Sequence, residues 1–286
     1  MANEQTGTLT LMSQHGCFGG NVNIYSHPSE QCQCTMTFAV YIPPQAITQT
    51  VPVLYYLAGL TCTEQNFITK AGAQRYAAQH GLMLVAPDTS PRGDDVPDEE
   101  GWDFGSGAGF YVDATEAPWA SNYRMYSYIT EELPALIQTH FSVSDKQGIF
   151  GHSMGGHGAL VCGLRNPAKY QSISALAPIA NPMQCAWGQK ALGKYLGADQ
   201  TSWAAYDASE LVKQHAQSDR HILIDQGLAD PFLEQQQLKP EAFKAACEAV
   251  GQPLTLRMQT GYDHGYYFIS TFMEDHIKHH AEVLCG

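Results

Sequence analysis

Gly148-Ile-Phe-Gly-His-Ser-Met-Gly-Gly-His-Gly-Ala-Leu160 decides how the rest of the chain is read. Gly-Ile-Phe-Gly (148–151) is short and apolar, as a buried strand is. From Met154 to Arg165 the chain carries Ala, Leu and Val at helix-compatible positions. Between them Gly151-His152-Ser153-Met154-Gly155 matches G-x-S-x-G. In a strand–turn–helix context this pattern presents the serine on a tight turn above a sheet, and small neighbours leave room for the backbone to bend. The following helix N-terminus sets N–H groups and a positive dipole end beside Ser153, which favours a developing anion. A bare G-x-S-x-G is a weak pattern, and the alternative is a serine that only caps its helix. That alternative explains the serine but not the flanking glycines.

The rest of the chain supplies a matching architecture. Cys34–Ile42 alternates apolar residues at 34, 36, 38, 40 and 42 with more polar ones, as a half-buried strand does, and Pro43-Pro44 ends it. VPVLYYLAG (51–59), LMLVAP (82–87), SISALAP (172–178), HILIDQG (221–227) and LTLRM (254–258) are short apolar runs of the kind found in sheets covered on both faces. Helical patterns lie between them: Glu64–His80 closed by Gly81, Asn122–His140 with a kink at Pro134, Met154–Arg165, Leu233–Val250 and His264–Val283. Strands alternating with helices predict an α/β fold with a mostly parallel central sheet and helices on both faces. No repeat, low-complexity tract or linker divides the 286 residues, so a single domain over 1–286 is expected. Residues 181–219 look like an insertion over one edge of the sheet, and the Gly-, Asp- and Pro-rich residues 88–121 like a long excursion, which is often functional.

Bulk properties exclude some functions. A net charge of −13 argues against nucleic acid or an anionic membrane as partner, since both need clustered Lys and Arg. No apolar run approaches the roughly 20 residues needed to span a bilayer. The stretch MANEQTGTLTLMSQ has neither a basic segment nor an apolar core of an export signal, so a cytoplasmic protein with reduced thiols is expected. The eight cysteines have no framework spacing, and Cys32–Cys34 is CxC with no second pair to complete a zinc site. Asp94–Glu100 resembles a calcium loop only in charge and reads as solvated. Neither a cofactor nor a metal is expected.

A nucleophilic Ser153 needs partners, and in this architecture they follow in the order acid, then histidine. Asp230 falls just past the carboxyl end of the 221–227 run, where ligands gather in α/β sheets. Pro231 biases it away from the αR region. Asp225 is the rival, but it lies within the strand pattern, where a carboxylate more often makes structural hydrogen bonds. Among twelve histidines, His264 sits on the loop between the last strand and the last helix, the position a triad base requires. His152 adjoins the serine, and His157 lies about one turn along the helix; both read as bystanders. His276, His279 and His280 have i, i+3, i+4 spacing without a metal signature and read as a solvated helix face. An oxyanion site needs two N–H donors. Met154, after the serine, supplies one; the loop after 51–59 supplies the other, from Leu60 or failing that Gly59. Cys62 then lies near the site as pocket lining, since no histidine is placed to make it a rival nucleophile.

Taken together, YYLAGLTCTEQNFITKAGAQRYAAQHG (55–81), APDTSPRG (86–93), WDFGSGAGFYVDAT (102–115), NYRMYSYITEELP (122–134), GHSMGGHGAL (151–160), QGLADPFL (226–233) and GYDHGYYFI (261–269) resemble the S-formylglutathione hydrolase (esterase D) family. The resemblance runs from about Gly16 to the last helix. It implies an α/β-hydrolase fold and a cytoplasmic serine hydrolase that cleaves the thioester S-formylglutathione to formate and glutathione, the last step of glutathione-dependent formaldehyde oxidation. It also implies a homodimer and side activity on small esters. The family's triad falls on Ser153, Asp230 and His264, its oxyanion donors on Leu60 and Met154, and its near-site cysteine on Cys62. Ala58 stands where serine is common, and Pro231 follows the acid; neither removes a catalytic group. A formyl group calls for a small acyl pocket, which Trp102, Trp187, Phe110 and Tyr111 are candidates to narrow. Lys70, Arg75, Arg92 and Arg124 are candidates to meet the glutathione carboxylates, with nothing in the sequence to rank them. A short-chain carboxylesterase with a larger acyl pocket, an acyltransferase and a non-catalytic binding protein are the competing classes.

Overall fold

A computed structural model describes residues 9–286; the first eight residues, part of the stretch read for an export signal, lie outside the described residues. Nine strands form one sheet: β1 (Thr10–Cys17), β2 (Gly20–Ser29), β3 (Cys34–Ile42), β4 (Val51–Leu57), β5 (Met83–Pro87), β6 (Val143–His152), β7 (Tyr170–Leu176), β8 (Ile222–Gly227) and β9 (Leu254–Gln259). Their spatial order is β1-β2-β3-β5-β4-β6-β7-β8-β9. β4 to β9 are parallel to one another, whereas β1, β2 and β3 join as an antiparallel extension against β5. The parallel strands β5 and β8 are buried at every position, which is why they read as unbroken apolar runs. β1 carries no buried residue, and that is why it leaves no apolar signature in the sequence.

Helices form where sequence periodicity places them, with three local interruptions; the pattern expected over Leu233–Val250 breaks into Pro231–Glu234 and Pro240–Val250, with Lys239 in left-handed backbone before the second. The pattern over 64–80 divides into Glu64–Lys70 and Ala73–His80, because Gly72 takes φ 68° between them. Thr63 opens the first of these with a capping box that uses Asn66. Around Pro134, which donates no N–H, the helix accommodates the ring with a wide turn over Tyr128–Glu132 before continuing as Leu133–His140. Residues 181–219, expected over one edge of the sheet, lie in the crossover between the adjacent interior strands β7 and β8. Their last helix, Ala208–His215, packs on Met154–Arg165 and on Pro240–Val250.

The crossing of helix Met154–Arg165 over β4 positions the centre of the molecule. This helix is buried over all but its last residue. Its first turn approaches β4 so closely that a Cβ on Gly155 would stand 1.9 Å from the Leu57 carbonyl oxygen, and one on Gly151 would stand 2.2 Å from the Gly155 carbonyl oxygen. Neither contact has a flexible side chain that could yield, so backbone would have to move. Gly155→Ala is therefore expected to destabilise the protein by about 3 kcal/mol, in the range of overpacked cores. Urea unfolding monitored by circular dichroism checks this, and a variant as stable as the parent would contradict the packing argument.

Candidate active site

Strand ends bring the candidate residues together. β6 ends at His152, and the chain turns at Ser153 with φ 58° and ψ −119°, a conformation that costs a non-glycine residue about 1–3 kcal/mol. The turn is held by backbone bonds on both sides. Ser153 N–H donates to Leu176 O at 3.0 Å, while Ser153 O accepts from His157 N–H at 3.0 Å and Ile179 N–H at 3.2 Å. The Ser153 side chain makes no capping hydrogen bond. Its hydroxyl is thus not occupied in closing the helix, which removes the capping explanation for the serine.

The loop after β4 lies against the serine. A Cβ on Gly59 would stand 3.1 Å from Ser153 Cβ. Residues of the long 88–121 excursion fix this loop: Tyr111 OH donates to Ala58 O at 2.8 Å, Thr61 N–H to Gly107 O at 2.9 Å, and Thr89 Oγ1 to Cys62 O at 2.5 Å. Among the described residues, the N–H groups of Leu60 and Met154 donate to no other protein group. Met154 is the first helical residue, so its N–H has no partner within the helix.

Asp230 is buried at the mouth of β8, where Pro231 opens a short helical turn. Its Oδ1 accepts from Phe232 N–H at 2.8 Å, and its Oδ2 accepts from Gln226 Nε2 at 3.1 Å. Oδ2 also meets His264 Nδ1 at 2.5 Å. A charge-assisted bond of this length fixes the ring and leaves Nε2 as the free nitrogen. Phe232 meets the His264 ring edge-on at 4.8 Å, and the His152 ring lies 4.3 Å from it. Burial, reinforced by His264, holds the His152 pKa well below the usual histidine range. His152 is therefore a neutral ring packed beside His264, a contact that sequence adjacency to Ser153 did not reveal.

Ser153, His152 and His264 line a cavity of about 200 Å³ with Gly59, Leu60, Thr61, Cys62, Trp102, Trp187, Phe232 and Tyr266. Of the four aromatics expected to narrow it, Trp102 and Trp187 do so. Phe110 and Tyr111 are instead fully buried in the core. Phe232 and Tyr266 take their place; both follow a candidate triad residue by two positions, which was the available signal. Trp102 packs edge-on against Trp187 at 5.4 Å, and Trp187 against Phe232 at 4.8 Å. Burial pushes the Cys62 thiol pKa up, opposed by Tyr266 and Lys70. At neutral pH Cys62 is a thiol, a weak nucleophile.

Asp225 occupies a separate environment. Fully buried, it accepts from Arg257 Nε at 2.8 Å, from a second Arg257 nitrogen, and from Gln259 Nε2 at 2.6 Å, and it meets His276 Nε2 at 3.0 Å. His276 Nδ1 reaches Ser174 Oγ at 2.7 Å, and His280 bridges Ser174 Oγ at 2.9 Å and Ser172 Oγ at 2.7 Å. The expectation of a solvated histidine face is corrected here: His276 and His280 are fully buried. The helix Tyr266–Leu284 packs this face on β7, whose alternate residues Ser172 and Ser174 supply hydroxyl partners. Among the described residues no cluster of His, Cys, Asp or Glu is arranged to hold a metal ion. His157, also buried, reaches Phe110 O at 3.0 Å. The acidic 94–100 segment is not simply solvated: Val96 is buried, Asp98 accepts from Ser106 N–H, and Glu99 pairs with Lys194 at 2.5 Å.

Comparison with known proteins identifies the lineage. The family described as "Putative esterase" matches residues 29–279. S-formylglutathione hydrolase from Mus musculus is 57% identical over 278 residues, covering 96% of this chain and 99% of that protein. The corresponding Bos taurus protein is 56% identical with the same coverage. Among solved structures, an S-formylglutathione hydrolase from Agrobacterium tumefaciens superposes with TM-score 0.94 at 54% identity, over 96% of this chain and 99% of that one. The chain belongs to the S-formylglutathione hydrolase family. Its fold is accordingly an α/β-hydrolase fold, as the sequence pattern predicted. A ferulic acid esterase, 18% identical with TM-score 0.71 over 93% of this chain and 98% of that one, shares the fold.

Buried neutral histidines make this fold acid-sensitive. Burial lowers His157 to about 4 and His279 to about 4, against 6.5 for a free histidine. Between those values the unfolded chain binds more protons than the folded one, so stability falls as pH drops from about 6.5 towards 4. Depression of the Asp225 pKa, opposed by burial but produced by His276 and Arg257, adds a further loss once pH falls below the ordinary carboxylate value. Urea midpoints measured at intervals from pH 7 to 4 should fall steadily, and His157→Gln should make the slope shallower. A midpoint that stays level to pH 4 would contradict the assignment.

Proposed function

We infer that the protein is a serine hydrolase that cleaves S-formylglutathione to formate and glutathione. The observation that carries this reading is identity of more than half the residues with S-formylglutathione hydrolases along nearly the whole chain. The geometry around Ser153 supports the mechanism. His264 Nε2 takes the Ser153 proton as Oγ attacks the formyl carbon, and the N–H groups of Leu60 and Met154 receive the oxyanion. Asp230 holds the ring tautomer and stabilises the imidazolium. Collapse of the tetrahedral intermediate breaks the C–S bond. A thiolate of pKa about 8.5 leaves with little help from acid and then takes the proton from the His264 imidazolium, which returns the ring to its neutral form. The same histidine then removes a proton from water, which attacks the formyl-serine to release formate and restore the serine hydroxyl.

Cavity size is compatible with a short acyl group, formyl among them. About 200 Å³ lies below the roughly 300–1,000 Å³ typical of ligand pockets, so it suits a small acyl group with the peptide outside. Small esters fit the same space as side substrates. Assembly as a homodimer and a cytoplasmic location belong to this proposal too. All eight cysteines are unpaired, which suits a reducing compartment, and no described helix is long and apolar enough to cross a membrane.

Steady-state hydrolysis of S-formylglutathione against acetyl and butyryl esters tests the reading. S-formylglutathione should give the highest kcat/KM, and Ser153→Ala should lower kcat by roughly 10⁴-fold or more with an unchanged unfolding midpoint. A preference for butyrate would instead indicate a general carboxylesterase, and acyl transfer to an added thiol in place of hydrolysis would indicate an acyltransferase.

A further inference from the structure

The substrate proposed above carries two carboxylates and one ammonium, and the protein that must attract it has a net charge of −13. A local cation is needed where the peptide emerges from the cavity. The structure separates the basic residues around that mouth by what they already hold. Arg92 donates to both carboxylate oxygens of Asp88, at 2.8 and 3.1 Å, and to Cys62 O at 3.3 Å. Lys190, one turn after Trp187, is paired with Asp103 at 2.6 Å. Lys194 is paired with Glu99. Arg75 and Arg124 are exposed and, among the described residues, stand over no ring that lines the cavity.

Lys70 differs from all of these. It is exposed at the end of helix Glu64–Lys70, which starts directly after the lining segment 59–62. Its Nζ stands 5.5 Å from the centre of the Tyr266 ring, and its charge favours the thiolate of Cys62. Both Tyr266 and Cys62 line the cavity. Among the described residues no carboxylate lies within ion-pair distance of Lys70. The nearby carboxylate that acts on Cys62, Asp88, is already neutralised by Arg92.

We propose that Lys70 is the specificity-determining cation of the site, receiving a carboxylate of the glutathionyl leaving group while the formyl end occupies the cavity. The ammonium is held over the Tyr266 face, so it is partly oriented before substrate arrives. No existing ion pair has to break for it to engage. At a solvated rim such a contact acts mainly on association and on KM, and salt weakens it. Lys70 touches no reacting atom in this assignment, so turnover of an uncharged ester should not depend on it.

The inference rests on the functional reading above, and the experiment keeps the two apart. Hydrolysis of S-formylglutathione and of uncharged p-nitrophenyl acetate is measured for the parent, Lys70→Met and Lys70→Arg. Glutathione and its dimethyl ester are measured as competitive inhibitors of p-nitrophenyl acetate hydrolysis. The parent should bind glutathione more tightly than the dimethyl ester. Lys70→Met should raise KM for S-formylglutathione about 5- to 10-fold and abolish that discrimination, with kcat and the p-nitrophenyl acetate constants within about twofold. Lys70→Arg should restore most of both. Equal losses on the two substrates would mean that Lys70 acts by packing on Tyr266, and unchanged discrimination would mean that another group meets the carboxylate; either overturns the assignment. Absence of S-formylglutathione hydrolysis in the parent would overturn the functional reading itself, whereas discrimination between the two inhibitors would still report on Lys70.

Discussion

The close approach of helix Met154–Arg165 to β4 is the constraint on which the site depends. Backbone can come this near to backbone only where side chains are missing, so Gly151 and Gly155 are required on either side of Ser153. The turn between them is too tight for ordinary φ, and the serine adopts 58°. Surrounding hydrogen bonds offset that strain: Ser153 is tied to β7 through Leu176 and to the chain beyond it through Ile179. Strain and close packing therefore have one cause. The same geometry that costs stability puts the hydroxyl above the sheet, the first helical N–H beside it, and the 58–62 loop against its Cβ.

Two aspartates, one inside β8 and one just past it, show how position along a strand divides a saturated carboxylate from one directed at a single imidazole. Asp225 lies inside the strand and is saturated by an arginine, a glutamine and a histidine. Removing such a partner set would leave a buried charge uncompensated, so the arrangement favours integrity over reactivity. Asp230 lies past the strand end. There Phe232 N–H and Gln226 satisfy part of its capacity and leave Oδ2 directed at one imidazole. Its neighbour Pro231 starts the next turn and holds the carboxylate in extended backbone at φ −72° and ψ 116°. The acid is thereby anchored by groups that do not themselves titrate in the working range.

Those differences were legible in the sequence to the extent that they follow from local pattern. Cys34–Ile42 and the apolar runs of β4, β5, β7 and β8 report burial, whereas every residue of β9 is only half-buried, and Ser153, Asp230 and His264 follow β6, β8 and β9 in the order the chain sets. β1 gave no comparable signal, because an exposed antiparallel edge needs little apolar patterning, and β2 hides its burial in polar residues such as Asn23, His27 and Ser29. Histidines were the hardest residues to read. A histidine has one sequence symbol for a base, a stacked neighbour, a carbonyl anchor and a buried bridge, and only tertiary partners tell them apart. His276 and His280 could have been paired with Ser172 and Ser174, since i, i+4 on a helix and i, i+2 on a strand each define one face. Nothing in the sequence alone, however, says that these two faces meet.

The cavity joins these local devices through a chain of rings. Trp102, from the long excursion, packs on Trp187; Trp187, from the crossover between β7 and β8, packs on Phe232; and Phe232 packs on His264. The excursion and a helix of the crossover thus act on the imidazole through Phe232, without supplying any titrating group to it. Their contribution is to exclude water on one side of the ring, which strengthens the Asp230 contact by lowering the local dielectric. Neutral His152 packs against the same ring, and residues 59–62 line the cavity with it. Among the described residues, the side chains that line this enclosure include no carboxylate, lysine or arginine, and Asp230 meets the His264 ring at Nδ1. For the anionic peptide thioester proposed as substrate, attraction has to be kept apart from chemistry in this way, because a cation placed among the rings would lower the basicity of the histidine that it adjoined.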